Sequence, residues 1–404
     1  MPAHVLASRV AEIQGLYGAF SFPEKLLQKI WLRGDFDRAR AFMADGRRVR
    51  VLYPGKWNLL GGPDFRDARL IFGDRGEITG DVEVHLRTPD WDTHGHARDR
   101  AYDGVVLHVV LFPPEFGRVT RGAGAREIPI LALLPLLHHD LEEYAAEDAV
   151  EVLASRPSAR VTEELALLPP GELDATLRHH AAARWRQKMH FARLRVKRLG
   201  WDVACHQTAL EILGYRFNRA PMLRIAGQWP LAAWAQGEVS VDELVASEAE
   251  GWSLQGVRPA NHPRMRLRQY AAWVGAQPEW PRRWRQFAAE LPEIELASVT
   301  RVARRRHGFT PLRDQMAREI CGDAIGGTRF DNLVCDGLLP LLATQTERNL
   351  EGAWFHWFAG DLPVFVAAGL RQLGVCEGRR QPACHGLAQG LLGWLIARDA
   401  RRDK

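Results

Sequence analysis

The chain has 404 residues, of which 46% are hydrophobic and 25% are charged, and its formal net charge is +5. These proportions are typical of a globular protein and exclude a disordered one. The length predicts two or three domains of about 150 residues each, and no apolar stretch reaches the roughly 18 residues that a membrane helix needs.

Cysteine usage and the first residues bear on the compartment. Five cysteines without a CxxC spacing indicate a reducing environment, and "MPAHVLASRVAEIQ" lacks the basic-then-apolar order of a secretory signal. We therefore expect a bacterial, cytoplasmic protein. Cys376 lies near Cys384 and His385, but small buried thiols explain these cysteines better than a metal site does.

The first part of the chain, residues 1–140, predicts an α/β domain. "FPEKLLQKIWLRG" has apolar residues at helical spacing, with Pro23 in its first turn and Gly34 at its end. Strands are predicted over "RRVRVLY", "FRDARLIF" and "EITGDVEVHLR", with the turn "GDRG" between the last two. "VVLHVVLF" predicts a strand buried on both faces, and "REIPILALLPLL" an edge strand.

Polar side chains converge on the predicted hairpin. If its turn is centred at residues 74–75, Asp64 lies opposite His85, and Arg66 lies opposite Glu83. Glu83 and His85 share a face because they are two positions apart on one strand. Two nearby carboxylates can hold Mg²⁺ or Mn²⁺ through oxygen ligands, and a histidine beside them can accept a proton near neutral pH.

This pattern resembles a known nuclease motif. Pro63–Asp64 followed by Glu83-Val84-His85 looks like the PD-(D/E)xK pattern of restriction-endonuclease-like nucleases, with His85 in place of the usual lysine. The resemblance implies a small mixed sheet with flanking helices and catalytic roles for Asp64, Glu83 and His85. It also implies that Asp64 and Glu83 bind the metal, with Glu24 as an accessory ligand.

A second resemblance extends over most of the chain. The blocks "EKLLQKIW", "PGKWNLLGGPDF", "GDVEVH", "AYDGVVLHVV", "LGYRFNRAPM" and "RPANHPRMRL" occur in this order and are similar to the bacterial domain-of-unknown-function 2851 (DUF2851) family. This resemblance implies no particular activity.

Further histidines follow the hairpin. His94, His96 and His108 give, with His85, a local excess of imidazoles, and Asp99 could orient one of them. A zinc site needs three or four ligands in tetrahedral geometry. Because the pattern does not fix where the His94-Gly-His96 loop lies relative to the strand, Mg²⁺ or Mn²⁺ is preferred over zinc at this stage.

Residues 141–404 predict a mostly helical domain. On the helix "ELDATLRHHAAARWRQKMHFARLRVKRLG", Lys188, Arg195 and Arg198 fall near one face, and Arg304 and Arg305 form a second basic run. These residues could follow a nucleic-acid backbone, and a solvated helix face explains them equally well. In "RPANHPRMRLRQ" the prolines fix a loop before a helix, where either an anion or a purely structural contact would fit. "IGGTRFDNL" lacks the lysine of a phosphate loop.

Three functions remain open from the sequence. The first is a Mg²⁺-dependent nuclease acting on DNA or RNA. The second is an inactive nucleic-acid-binding or scaffold protein on the same fold. The third is a histidine-rich, metal-dependent hydrolase of another substrate.

Overall fold

The structure is a computed structural model that describes residues 10–15, 18–155, 163–249, 251–254, 257, 259–376 and 382–402. The chain forms two compact units. The first comprises Met1–Ala145 with Ala249–Gly251, and the second comprises Ala146–Glu248 with Trp252–Lys404. Residues 1–9, on which the expectation about a secretory signal largely rests, lie outside the described part.

The first unit is built on a mixed sheet. Its strands are β1 (Val10–Gly15), β2 (Gly18–Pro23), β3 (Val49–Tyr53), β4 (Lys56–Trp57), β5 (Phe65–Phe72), β6 (Glu77–His85), β7 (Val105–Val110), β8 (Thr120–Arg121), β9 (Glu127–Ile128) and β10 (Ile130–Ala132). The main sheet has the order β10-β7-β6-β5-β3, and β4 also pairs with β5. Strand β7 is parallel to β6 and β10, whereas β5 is antiparallel to β3 and β6.

Helix α1 (Glu24–Arg33) packs an apolar face into the core of this unit. Leu26, Leu27, Ile30 and Trp31 are buried at the spacing of one helical face. Gly34 ends the helix with a φ of 58°, a left-handed conformation that glycine adopts without steric cost. The predicted helix and its end at Gly34 are confirmed, whereas Pro23 precedes the helix as its N-cap and does not lie in the first turn.

The register of the β5–β6 hairpin differs from the prediction. Ile71 pairs with Glu77, and after an irregularity between Phe65 and Ala68 the pairing resumes with Phe65 opposite Val82. The turn is off-centre by half a residue, and the bulge at Asp67, whose φ is 57°, shifts the pairing again. The prediction that Asp64 lies opposite His85 is therefore wrong, because these two shifts bring Asp64 to Glu83.

The second unit consists of helices. They are α3 (Leu141–Ser155), which begins just before this unit, and α4 (Glu163–Ala166), α5 (Pro170–Leu199), α6 (Trp201–Leu213), α7 (Tyr215–Gln228), α8 (Leu231–Ala235), α9 (Val241–Ser247), α10 (Pro263–Ala276), α11 (Trp280–Gln286), α12 (Thr300–Arg306), α13 (Phe309–Cys321), α14 (Gly327–Asn332), α15 (Leu339–Ala343), α16 (Glu351–His356), α17 (Val364–Gln372) and α18 (His385–Arg402). A π-helical segment, Leu333–Leu338, connects α14 to α15. Short helix α2 (Asp90–Thr93) belongs to the first unit.

Tryptophans and close helix crossings organise the core of the helical unit. Trp273, Trp280, Trp284 and Trp354 are fully buried there, and such large aromatic side chains bury much apolar area. Helices α5 and α18 approach so closely at Gly390 that a Cβ atom there would lie 2.2 Å from the carbonyl oxygen of Leu177.

The predicted fold class is confirmed: a curled, mixed sheet with helices is followed by a mostly helical region. All five cysteines are free thiols. Among the described residues, no helix combines the length and the apolar character required to cross a membrane.

Candidate metal centre

Two adjacent strands supply the base of the candidate site. Glu83 and His85 lie two positions apart near the end of β6 and therefore share a face of the sheet. In the parallel pairing, Glu83 lies beside His108 of β7. The three side chains are 5%, 1% and 0% exposed, so polar groups of metal-binding type are gathered in the interior.

The loop after β6 brings two further imidazoles to His85. Helix α2 ends at Thr93 with His94 as its C-cap, and Gly95 then adopts a φ of 75° before His96 begins a short 3-10 helix. This left-handed conformation is strained for residues with a Cβ atom. The His96 ring stacks on Tyr102, with ring centroids 3.8 Å apart, and meets Trp91 edge-on at 5.3 Å. These contacts fix the His96 ring.

Four side-chain atoms converge at this point. His85 Nε2 lies 3.0 Å from His94 Nδ1, 3.3 Å from His96 Nε2 and 3.4 Å from Glu83 Oε1. His96 Nε2 is 3.3 Å from the same Glu83 oxygen. For Zn–N bonds of about 2.05 Å, the edge of a ligand tetrahedron is about 3.3 Å. These four separations are close to this spacing. The ligand atoms of His85, His94 and His96 all lie within 4.8 Å of one another, and this triad is a group that could hold a metal ion.

Hydrogen bonding alone does not account for this convergence. A neutral imidazole carries one N–H and one lone pair. His85 Nε2 can form one well-aligned hydrogen bond, as a donor or as an acceptor, so hydrogen bonds cannot satisfy all three of its neighbours through that atom. A cation between the lone pairs satisfies all of them at once.

A second layer of polar residues supports His85 from behind. His85 Nδ1 is 2.9 Å from His108 Nε2, and His108 Nδ1 is 2.8 Å from Thr120 Oγ1. Burial, and then the charge on nearby His96, lower the pKa of His108 to about 3, so its ring is neutral at ordinary pH. With a cation on His85 Nε2, the His85 Nδ1–H donates to His108, and His108 in turn donates to Thr120. Such outer contacts orient a ligand and raise its basicity.

Asp64 contacts Glu83 through its backbone. The Asp64 N–H donates to Glu83 Oε2 at 3.0 Å and so directs Glu83 Oε1 toward the histidines. The Asp64 carboxylate accepts hydrogen bonds from Gln28 Nε2 at 2.8 Å and from the Val84 N–H at 3.1 Å. Trp57 Nε1 donates to the Gln28 amide oxygen and holds it in place. Asp64 thus positions Glu83, while its own oxygens have other partners.

The remaining predicted residues of this unit occupy different positions. Glu24 is buried at the first position of α1, and within the described part it does not join the group that could hold a metal. Asp99 is exposed, and its Oδ1 accepts a hydrogen bond from the Ala101 N–H, which caps a short 3-10 helix. This contact is to the backbone and not to a histidine, so it does not support the hypothesis that Asp99 orients an imidazole.

Several of the predicted nucleic-acid-binding cations make contacts within the helical unit. Lys188 Nζ lies 3.0 Å from Asp336 Oδ1. Arg195 donates to Glu211 and Thr208, each at 2.7 Å. Arg304 donates to the backbone carbonyls of His356, Trp357 and Ala383. Arg198 and Arg305 are exposed. At least three of the five predicted nucleic-acid-binding cations therefore have partners within the helical unit.

The third hypothesis from the sequence grouped His85, His94, His96 and His108 as metal ligands. The sequence placed Glu83 in a separate Mg²⁺ site with Asp64. It did not identify Thr120 or Gln28, since a lone threonine or glutamine carries no signal in a single sequence. The spacing His94-Gly95-His96 was the available signal for the cluster, because the intervening glycine permits both imidazoles to face one point.

Comparison with known proteins gives a family. Residues 24–247 match the family described as "Protein of unknown function (DUF2851)". No curated protein and no solved structure matches the chain.

Proposed function

Because the chain belongs to the DUF2851 family, whose function is unknown, we propose from the geometry of its metal centre that it is a metal-dependent hydrolase of phosphodiester bonds. The triad of His85 Nε2, His94 Nδ1 and His96 Nε2, whose atoms lie within 4.8 Å of one another, carries the proposal. Glu83 Oε1 lies 3.4 Å from His85 Nε2 and 3.3 Å from His96 Nε2 beside it. Imidazole nitrogens suit zinc and related transition metals, whereas Mg²⁺ prefers oxygen ligands. A transition metal therefore replaces the Mg²⁺ expected from the motif.

Each side chain has a separate task. A metal in this position would lower the pKa of a bound water molecule and stabilise negative charge on the group under attack. The three histidines hold it. Glu83 Oε1 is the group that can leave the cluster and accept a proton, since its other oxygen stays fixed by the Asp64 N–H. His94 is the least buried of the three histidines and marks the side where a substrate can approach.

We take the substrate class from the motif that the sequence resembles. Helix α1, the antiparallel strands β5 and β6 and the parallel strand β7 are compatible with that resemblance, with Asp64 just before β5 and Glu83 on β6. The motif usually has lysine where this chain has His85. A role of His85 as a metal ligand would explain why an imidazole stands at this position. DNA and RNA are the phosphodiesters to test.

Metal analysis combined with a cleavage assay tests this proposal. Protein purified without chelator should contain about one equivalent of zinc, manganese or iron, and should cleave labelled DNA or RNA only when metal is present. Glu83→Gln should retain folding and most of the metal but lose cleavage, whereas Glu77→Gln, at the far end of the same strand, should behave like the wild type. Metal-free protein, or cleavage by Glu83→Gln at the wild-type rate, would contradict the proposal.

A structural metal centre is the second candidate. Glu83, His85 and His96 are buried. If Glu83 joined the three histidines on a metal, the four protein ligands would form the closed set that is typical of structural zinc. This function predicts one bound metal, a large loss of thermal stability on chelation, and no cleavage of any phosphodiester in the panel. The cleavage assay separates the two candidates.

A further inference from the structure

A second polar cluster lies in the helical unit, remote in sequence from the metal centre. Arg266 of α10 and Arg329 of α14 are each only 6% exposed. Both guanidinium groups donate to the same acceptor, Asn261 Oδ1, with Arg329 Nη2 at 3.2 Å. An amide oxygen carries no formal charge, so it aligns the two cations without neutralising either.

The charge around this pair is unbalanced. Arg329 Nη2 lies 3.5 Å from Asp361 Oδ2, and the Asp361 side chain is 41% exposed. Arg266 also donates to the amide oxygen of Gln269, at 2.8 Å. Burial, and then repulsion from Arg329, lower the pKa of Arg266 to about 10. The charge of Asp336 also acts on Arg329, but Asp336 pairs with Lys188. The carboxylate in contact with this pair of interior cations is therefore the partly solvated Asp361.

Both arginines also have a buried donor that is not used. The Nε atoms of Arg266 and Arg329 are buried and have no hydrogen-bond acceptor among the residues that the structure describes. Leaving a buried donor unpaired is unfavourable, and more so for a charged group. The Arg329 guanidinium lies over the Tyr215 ring at 4.5 Å, which holds its plane in place. The two positively charged guanidinium groups are thus held in place, and each has an Nε–H donor without an acceptor among the described residues.

We propose that the Arg266–Arg329 pair, together with Asn261, is a binding site for a phosphate group, either free or carried by a small metabolite. A phosphate dianion matches two cations, and its oxygens match the planar fork of guanidinium donors. Asp361 marks the side that meets solvent and competes with the ligand for Arg329. The three motifs that meet here, around Tyr215, Asn261 and Arg329, have no part in the proposed hydrolysis, so this site stands independently of that function.

Calorimetric titration of the full-length protein with inorganic phosphate tests the site. At constant ionic strength, phosphate should bind with a dissociation constant of millimolar or below, and acetate and chloride should not. Arg266→Gln and Arg329→Gln should each weaken binding at least tenfold. Arg264→Gln is the matched control, since Arg264 is also on α10 but pairs with Asp242 at the surface, and it should bind like the wild type.

Asp361→Asn should change the phosphate affinity in the opposite direction to the arginine variants. Removing the competing carboxylate should tighten phosphate binding several-fold, which a purely structural role of the arginines does not predict. If the arginine variants fail to fold, the wild type and Asp361→Asn decide the matter. No phosphate-specific heat in the wild type, unchanged binding in Asp361→Asn, or an equal loss in Arg264→Gln would overturn the proposal. Competition with glycerol phosphate distinguishes the sources: tighter binding of the ester indicates a metabolite, and weaker binding indicates the free ion.

Discussion

The contact behind His85 allows a quantitative test of the metal centre. His108→Phe keeps a buried ring of similar size but removes the acceptor that lies 2.9 Å from His85 Nδ1. The His85 N–H is then left in a site with no exposure to water. An unpaired buried donor costs about 1–3 kcal/mol, and loss of an outer contact to a metal ligand lowers metal affinity by roughly 10–100-fold, or about 1.4–2.8 kcal/mol. The two magnitudes agree.

Competition with a chromophoric chelator, with zinc as the probe metal, measures this affinity. We expect a graded series in which Thr120→Val, which removes only the outer hydroxyl, costs less than His108→Phe. Val109→Ala is the matched control, because Val109 is a buried neighbour on the opposite face of β7. It should lower the free energy of unfolding and leave zinc affinity unchanged. Wild-type affinity in His108→Phe, or an equal loss in Val109→Ala, would refute the reasoning.

Three further predictions follow from the structure. His96→Ala should abolish the drop in melting temperature that a chelator causes in the wild type, as measured by thermal denaturation with and without chelator; a persistent drop would exclude His96 as a ligand. In urea unfolding, Gly390→Ala should destabilise the helical unit by about 1–3 kcal/mol, because the new Cβ atom clashes with the Leu177 carbonyl. The control Gly275→Ala lies in open space on α10, so it should be neutral or should stabilise by up to about 1 kcal/mol. Burial lowers the pKa of His206 to about 4. The neutral His206 ring therefore contributes on the order of 3 kcal/mol to the free energy of unfolding above pH 6.5, and this contribution is lost as the pH falls toward 4. In urea unfolding, His206→Gln should show a smaller difference in stability between pH 7 and pH 4.5 than the wild type does, and an unchanged difference would contradict this.

The elements that the sequence predicted well are those with strong local signals. Helix α1 has an apolar face and an end signal at Gly34, and β7 is a continuous β-branched run. The hairpin register was not predictable, because the bulge depends on Asp67 in a left-handed conformation, and aspartate gives no clear sign of it. One such irregularity changes which side chains face each other.

The candidate site shows the same limit. The identity of its side chains was accessible from the sequence, but their assembly depends on how the loop after β6 folds back, which is a tertiary property. Likewise, helical spacing placed Lys188 and Arg195 on one face of α5, and only the structure reveals Asp336 and Glu211 as their partners. Partners distant in the chain leave no trace in one sequence.

The close spacing of the metal-binding groups along the chain has a consequence for the unfolded polypeptide. All four converging groups come from one short segment, residues 83–96, and closing so small a loop has a low entropic cost. A metal bound here would therefore cross-link only a short stretch of chain, and it would restrict the unfolded polypeptide far less than a link between distant residues would.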